Sequence, residues 1–368
     1  MNRREFTARS TLWLAISAWG RARGAAAVQA DVASSIPFPA GLGLIDAHFH
    51  THSNAPVFYE LLKKLNLRVV NIVTVEPRPP IDKLEPLLTR AREVLRGSEG
   101  RAAWCSTFDP YKWGSPGFLQ ETIKQLGETF DEGAIAVKIW KSFGMDIKSE
   151  AGKYVMPDDP GLDPIFDFLE TRNKTLYTHL ADPPAAWYPP DPSSFEYHEY
   201  TAEPKWQMYR YPGAPSRQAI LAARDRVLER HPKLRVVGCH LGSMEEDVDL
   251  IAKRFDLYPN FAVDTAGRVP YLMFQPREKV RAFLMKYQDR VLYGSDTTIP
   301  YTHPEETLKR WQETLAHDWK FLATDEKFDG ELHYLRGDVS GLALPDAVLR
   351  KIFRENARRW VPGVINSE

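Results

Sequence analysis

Cysteine is nearly absent from this chain of 368 residues: there are two, Cys105 and Cys239, far apart. That excludes a disulfide scaffold and any cysteine-rich zinc module. Charge of either sign is not in surplus, with 48 Lys+Arg against 49 Asp+Glu, and no block of like charges occurs. The electrostatic footprint that grips a phosphate backbone is missing, so nucleic acid is not an expected partner. The apolar stretch near the start, Thr11 to Gly20, is about half of the roughly 20 residues a membrane-spanning helix needs, so no stable membrane anchor is expected. No Gly-x-Gly-x-x-Gly follows any candidate strand, which removes the dinucleotide-binding fingerprint. Metal or catalytic chemistry must therefore rest on His, Asp, Glu or Lys.

The opening residues, 1–30, are of a different kind from the rest. They run from Met-Asn-Arg-Arg-Glu-Phe through Leu12, Trp13, Leu14, Ala15 and Ile16 to an alanine-rich end between Ala25 and Ala30. A charged start, a short apolar region and a small-residue cleavage site describe an export signal. Arg3-Arg4 followed by Phe6 gives it the twin-arginine form, which exports proteins already folded. The expectation is a bacterial protein delivered to the periplasm or secreted. One domain, residues 42–362, would remain.

From Leu42 the chain alternates short β-branched runs with longer helical stretches eight times. Strand candidates are Leu42 to His50, Arg68 to Val75, Arg101 to Phe108, Ala134 to Trp140, Thr175 to Leu180, Arg235 to Leu241, Phe261 to Thr265 and Arg290 to Ser295. Unbroken apolar runs such as Val69-Val70-Asn71-Ile72-Val73 suit strands buried on both faces, as a parallel sheet demands. Between them, Pro80 to Leu95 sets Leu84, Leu87, Leu88, Ala91 and Leu95 at helical spacing, and Ser243 stands three residues before Glu246, a capping-box spacing that predicts a helix start. The fold class is α/β, and eight such units match a closed (β/α)8 TIM barrel; an open doubly wound sheet is the alternative. Near the end, Val348, Leu349, Ile352, Phe353, Ala357 and Trp360 form one apolar stripe of a packing helix.

The polar residues at strand ends carry the functional signal. Asp46-Ala47-His48-Phe49-His50 ends the first strand, and residues two apart on a strand share a face, so His48 and His50 can approach one metal ion. With ten histidines in the chain, a lone His-x-His is weak. Support comes from His179 after strand five, His240 after strand six and Gly294-Ser295-Asp296 after strand eight. In a barrel the C-terminal strand ends are where catalytic groups gather.

These residues, with Glu355-Asn356-Ala357-Arg358-Arg359-Trp360 near the end, resemble the amidohydrolase superfamily from about Leu42 to Trp360. The resembling branch is the amidohydrolase-related group that includes aminocarboxymuconate semialdehyde decarboxylase. The resemblance implies a divalent metal, most simply zinc, with manganese or another divalent ion as alternatives, held by His48, His50, His179 and Asp296. It implies Asp296 as general base and His240 beside the water or substrate. Lys138 on strand four is read as a substrate contact, or, in the binuclear version, as a carboxylated bridge to a second ion. The leading expectation is a hydrolase of a C–N or C–O bond in a small molecule. Two alternatives are a non-oxidative decarboxylase on the same fold and a non-catalytic exported metal- or ligand-binding protein.

Between Ala181 and Gly213 the pattern breaks, with seven prolines and the aromatics Trp187, Tyr188, Phe195, Tyr197, Tyr200, Trp206, Tyr209 and Tyr211. Long irregular segments are commonly lids. Trp187 and Tyr188 are candidates to face a substrate; packing against the barrel, or against a second subunit of a homo-oligomer, is the alternative. Arg210, Arg217 and Arg268 are candidates to receive a substrate carboxylate.

Overall fold

Each of the eight β-branched runs becomes a strand, shorter than its apolar run by one to several residues. The computed structural model describes residues 38–77, 83–194, 196–332 and 335–365; the segment expected to be an export signal, Pro80 at the expected helix start, and Phe195 lie outside the described residues. The strands are β1 Ile45–Thr51, β2 Arg68–Ile72, β3 Ala102–Ser106, β4 Ala134–Ile139, β5 Thr175–Thr178, β6 Val236–Gly238, β7 Phe261–Asp264 and β8 Val291–Leu292. All pair in parallel with their sequence neighbours. A short β9, Thr297–Ile299, follows β8 and runs parallel to β1 on its other edge.

The ladder does not run unbroken from β8 to β1. Residues between β8 and β9 make the junction instead: the Ala47 N–H donates to Tyr293 O at 2.8 Å, and the Asp296 N–H to His48 O at 2.9 Å. The eighth strand is thus split around the segment that carries Asp296.

Each strand is followed by a helix: α1 Pro56–Lys64, α2 Leu84–Gly97, α3 Phe118–Asp131, α4 Asp163–Thr171, α5 Arg217–Arg230, α6 Val248–Leu257, α7 Arg277–Lys286 and α8 Glu305–Ala323. The strands divide their side chains between two cores. Ile45, Ala47, Val70, Ile72, Ala103, Cys105, Ala136, Tyr177, Val237, Cys239, Ala262 and Leu292 form one cluster, the period-two set that fills a barrel interior. The alternating residues, among them Val69, Trp104, Val137, Leu176 and Val263, pack in a second cluster with the helices. Both cysteines are buried and free, as expected for residues on strands that are not neighbours.

The apolar stripe near the C-terminus is buried throughout. Its helix has a π turn, Lys351–Glu355, between Asp346–Arg350 and Asn356–Trp360. Ile352 O, in that wider turn, accepts the Tyr293 N–H at 2.9 Å. The Asn356 amide donates to Gln288 O at 2.7 Å and Val291 O at 2.8 Å, and Trp360 Nε1 to Asp289 O at 2.8 Å. The Asn-Ala-Arg-Arg-Trp sequence therefore ties the last helix to the entry of β8.

Outside the barrel wall, the Tyr293 hydroxyl donates to Asp318 Oδ2 at 2.9 Å. Burial pushes the Asp318 carboxyl from its ordinary 3.8 up to about 7. The folded chain then holds a proton that the unfolded chain releases near pH 4, so this group's favourable share of stability falls as pH rises toward about 7. Asp318→Asn, which still accepts from Tyr293, is expected to gain stability relative to wild type between pH 4 and pH 8, by about 1 kcal/mol or more. Urea denaturation at both pH values checks it; a constant difference would refute the assignment.

Candidate metal centre and substrate cavity

At the C-terminal mouth of the barrel, His48 and His50 come from β1, Lys138 from β4, His179 directly follows β5, His240 follows β6 and Asp296 follows β8. A pairing irregularity in β1 between Asp46 and Phe49 arranges this. Ile45 and Ala47 face the barrel interior, while Phe49 packs outward on Phe58 and Trp311. His48 is turned inward, with Lys138 Nζ 3.2 Å from its Nε2 and the Tyr177 ring beside it. Bulges of this kind re-aim side chains next to active sites.

Every histidine is oriented by a partner on one ring nitrogen. His48 Nδ1 donates to Asp264 Oδ2 at 2.8 Å, His50 Nδ1 to Ile72 O at 2.7 Å, and His240 Nδ1 to Ala266 O at 2.8 Å. A carbonyl or carboxylate oxygen can only accept, so Nδ1 carries the proton in each of these contacts, and the His48 Nε2 accepts from Lys138 Nζ at 3.2 Å. His179 is turned the other way: Nε2 lies 3.4 Å from Asp182 Oδ1, and Nδ1 is buried with no hydrogen-bond partner among the described residues. Asp182 is itself fixed by Lys141 Nζ, at 2.8 and 2.7 Å from its two oxygens.

Nitrogens of three of the rings surround one carboxylate. Asp296 Oδ1 is 3.3 Å from His48 Nε2 and 3.5 Å from His50 Nε2, and Oδ2 is 3.8 Å from His240 Nδ1. The His179 and His240 rings pack with centroids 4.3 Å apart. Ligand atoms of His48, His240 and Asp296 all lie within 4.8 Å of one another. His50 and His179 do not join that tightest group, although His50 shares the Asp296 oxygen with His48. A second group, His48, Cys239 and Asp264, lies in the barrel interior, where burial pushes the Cys239 thiol well above its ordinary range and keeps it neutral.

Burial holds His48, His179 and His240 well below the ordinary histidine range; Lys138 adds to this for His48 and Lys141 for His179. These three rings are neutral, the form in which an imidazole can ligate a metal. Desolvation pushes Asp296 up, but His240, His50 and His48 outweigh it and hold the carboxyl well below its usual range. Asp296 is 33% exposed, toward the cavity, so it is an accessible carboxylate ringed by imidazoles. Neutral imidazoles plus one carboxylate, with His179 Nδ1 buried and unsatisfied, fit a divalent metal of the zinc or manganese type. The outer partners Asp264, Asp182, Ile72 O and Ala266 O supply the orientation such ligands require.

Two backbone features place these groups. His240, Leu241, Gly242 and Ser243 run through the left-handed region at φ 56, 56, 67 and 56°. Such strain persists only where the surroundings enforce it. Here Asp264 Oδ1 takes the His240 N–H at 2.8 Å, and the arginines Arg217 and Arg224 clamp the carbonyls of Ser243 and Gly242. This corrects the capping-box expectation. Ser243 sits inside the strained turn, Glu246 pairs with Arg217, and α6 is capped instead by Asp247, whose side chain accepts from the Asp249 N–H at 2.9 Å.

The second feature is Gly294. A Cβ there would lie 2.7 Å from His48 Cβ and 3.2 Å from the His48 nitrogen. The next residue fastens the crossing: the Ser295 N–H donates to Asp46 Oδ1 at 3.0 Å, while Asp46 Oδ2 takes Trp311 Nε1 at 3.0 Å. Gly294→Ala is therefore expected to push His48 out of place and weaken metal binding by tenfold or more, with a Tm drop of several degrees. Competition with a chromophoric chelator measures it.

A cavity of about 380 Å³ opens above these groups, lined by His50, Lys138, Lys141, His179, His240 and Asp296 at its base and by Trp140 and Trp206 on its walls. From the proline-rich segment, Glu199, Glu203, Lys205 and Trp206 line it; Trp187 and Tyr188 do not. The Trp187 indole is spent on Pro215 O at 2.9 Å, and Tyr188 is 65% exposed. The segment does reach the site, but through other residues. It is latched by the Tyr271 hydroxyl, which donates to Glu196 Oε1 at 2.8 Å, and by Lys205 Nζ on Asp146 at 2.9 Å.

Sequence reasoning passed over Asp264, Asp182 and Trp140. Asp264 was legible in principle, since Phe261-Ala262-Val263-Asp264 ends an apolar strand on an acid just as strand eight leads to Asp296. Of the three arginines offered for a carboxylate, Arg217 is consumed by Asp182 O, Ser243 O and Glu246, and Arg210 is exposed beside Gln207.

No curated protein sequence matches the chain. Among solved structures, 2,6-dihydroxybenzoate decarboxylase in complex with 2,6-dihydroxybenzoate is similar at 14% identity, over 86% of this chain and 97% of that one, with a TM-score of 0.51. A dihydroxybenzoic acid decarboxylase from Polaromonas sp. JS666, with bound manganese and 2-nitroresorcinol, aligns at 11% identity over 87% and 96% of the two chains, TM-score 0.49. A 4-oxalomesaconate hydratase from Rhodopseudomonas palustris aligns at 13% identity over 87% and 96%, TM-score 0.48. The first likeness shows a shared barrel fold. The amidohydrolase family model matches residues 101–363, from β3 through the last helix, and the chain is accordingly an enzyme that belongs to the amidohydrolase family.

Proposed function

We propose that this enzyme is a metal-dependent hydrolase that cleaves a C–N or C–O bond of a small molecule with water. The observation that carries the reading is the ionised Asp296 with His48 Nε2 at 3.3 Å and His50 Nε2 at 3.5 Å, in a cavity also lined by His179, whose Nδ1 is buried without a hydrogen-bond partner among the described residues. His48, His50, His179 and Asp296 would hold one divalent ion, zinc or manganese by donor chemistry. Such an ion supplies Lewis acidity and lowers the pKa of its bound water to about 7.

The remaining work falls to the chain's own residues. Asp296, accessible from the cavity, takes a proton from the attacking water and later returns it to the leaving group. His240 is neutral with its Nδ1–H committed to Ala266 O, so its Nε2 accepts a hydrogen bond. It therefore orients the water and does not polarise a substrate carbonyl. Lys138 has no carboxylate within 4.0 Å among the described residues and lines the cavity, which suits contact with the substrate. In the binuclear version its carboxylated form would bridge a second ion. Export by the opening segment belongs to the same proposal.

Non-oxidative decarboxylation is the second reading. Trp140 and Trp206 offer flat apolar walls to a ring, and the barrel is shared with a benzoate decarboxylase. Assay of esters, lactones, amides and carboxylated phenols in ¹⁸O-water separates the two. Metal-dependent ¹⁸O incorporation into product supports hydrolysis; carbon dioxide release without incorporation supports the second reading.

A further inference from the structure

We infer that Lys141 is a positioning residue that joins the aromatic wall of the cavity to the metal centre: Trp206, on the proline-rich segment, holds the Lys141 ammonium, Lys141 holds Asp182, and Asp182 holds the His179 ring. The inference rests on His179 being a metal ligand, as proposed above. It adds that the segment over the cavity governs how tightly the ion is kept.

Three separate stretches of chain bring these groups together. Lys141 stands two residues beyond the end of β4, Asp182 three residues past His179 in the loop after β5, and Trp206 at the end of the turn Pro204–Trp206. The Lys141 and Asp182 side chains are only 6% and 3% exposed, and the two carboxylate oxygens take the ammonium at 2.8 and 2.7 Å. Asp182 Oδ1 is also the atom 3.4 Å from His179 Nε2. The Asp182 backbone is fixed independently, because Arg217 Nε donates to Asp182 O at 3.1 Å. The direction of the carboxylate is what remains to be set, and Lys141 sets it.

Lysine is seldom buried unless paired, and taking both charges of a pair out of water is costly unless geometry and further contacts compensate. Here the further contacts are aromatic faces. Lys141 Nζ lies 4.2 Å from the centroid of the Trp206 ring and 5.3 Å from that of Trp140, within the range at which a ring face attracts a cation. The two indoles meet edge to face with centroids 5.2 Å apart, and Trp140 meets the His179 ring in the same manner at 6.1 Å. Trp206 is braced by a second cation, since Lys205 Nζ lies 5.2 Å from its ring and is itself held by Asp146 at 2.9 Å. Withdrawing Trp206 would open the buried pair to water, where an ammonium and a carboxylate hold each other weakly. Asp182 would then be free to turn, and the His179 ring with it.

Zinc affinity of the full chain, measured by competition with a chromophoric chelator, reads the link, with circular dichroism to confirm that each variant is folded. W206L is expected to bind zinc about fivefold more weakly than wild type, and W206F, which keeps a smaller ring face and reads the same link should W206L not fold, about twofold. K141M/D182N removes both charges, so that neither is left buried alone, and should lose about tenfold or more. Adding W206L to that pair should cost nothing further, because the cation through which Trp206 acts is gone. W187F disturbs the same segment, through the indole bonded to Pro215 O, and is expected to match wild type. Unchanged affinity in folded Trp206 variants, an equal loss in W187F, or a W206L effect undiminished in K141M/D182N would overturn the link while leaving His179 a ligand. Failure of the metal reading would look different: wild type would bind no zinc, and both would fall.

Discussion

Replacing Asp296 by Asn is expected to lower kcat by at least about 10³-fold while Tm stays within a few degrees of wild type. The two side chains have nearly the same shape, and Asn tolerates the positive φ of 62° that Asp296 adopts. The Asp296 N–H still reaches His48 O, and Ser295 still reaches Asp46, so the split eighth strand keeps its attachments. What disappears is the charge between His48, His50 and His240, and with it the group proposed to accept and return the proton. An amide can do neither at neutral pH. Steady-state kinetics on a substrate found by screening, with a thermal melt and circular dichroism of the same preparation, measure both halves. Full activity in this variant would remove Asp296 from the chemistry.

Stripping the metal is expected to abolish turnover and lower Tm by about 5–10 °C, with both restored by zinc or manganese. An ion that binds the folded chain at a thousandfold excess over its Kd stabilises it by about 4 kcal/mol, and for a domain of this size that shifts Tm by several degrees. The secondary structure should survive, because the ligands are fixed by the chain itself. His48 rests on Asp264, His50 on Ile72 O and His179 beside Asp182, none of which requires the ion. Calorimetry before and after chelation gives the shift. An unchanged Tm and unchanged turnover would show that these histidines serve packing alone.

The strand plan was open to reading because burial on both faces forces long apolar runs, and eight such runs in one chain suit a barrel. The site was open to reading for a related reason: a polar residue at the end of an apolar strand costs burial free energy unless it has work to do, and His179, His240 and Asp296 all stand in that position. What could not be read depends on contacts distant in sequence. Ser243 and Glu246 have capping-box spacing, but Arg217, from another helix, claims both and holds the turn left-handed. Trp187 looked available for a substrate until Pro215 O took its N–H, whereas Trp206, further along the same segment, reached the cavity. Asp264 was visible as a letter, yet its role needs His48, 216 residues away in sequence.

The claim on which the rest depends is that His48, His50, His179 and Asp296 share one divalent ion. Its most direct test is the metal content of freshly purified wild type and His179→Asn by mass spectrometry, with circular dichroism to confirm that both are folded. The account predicts one equivalent of zinc or manganese per chain in wild type and less than about a tenth of that in the variant. Two equivalents in wild type would transfer Lys138 to a bridging role, and equal metal content in both proteins would contradict the assignment of His179.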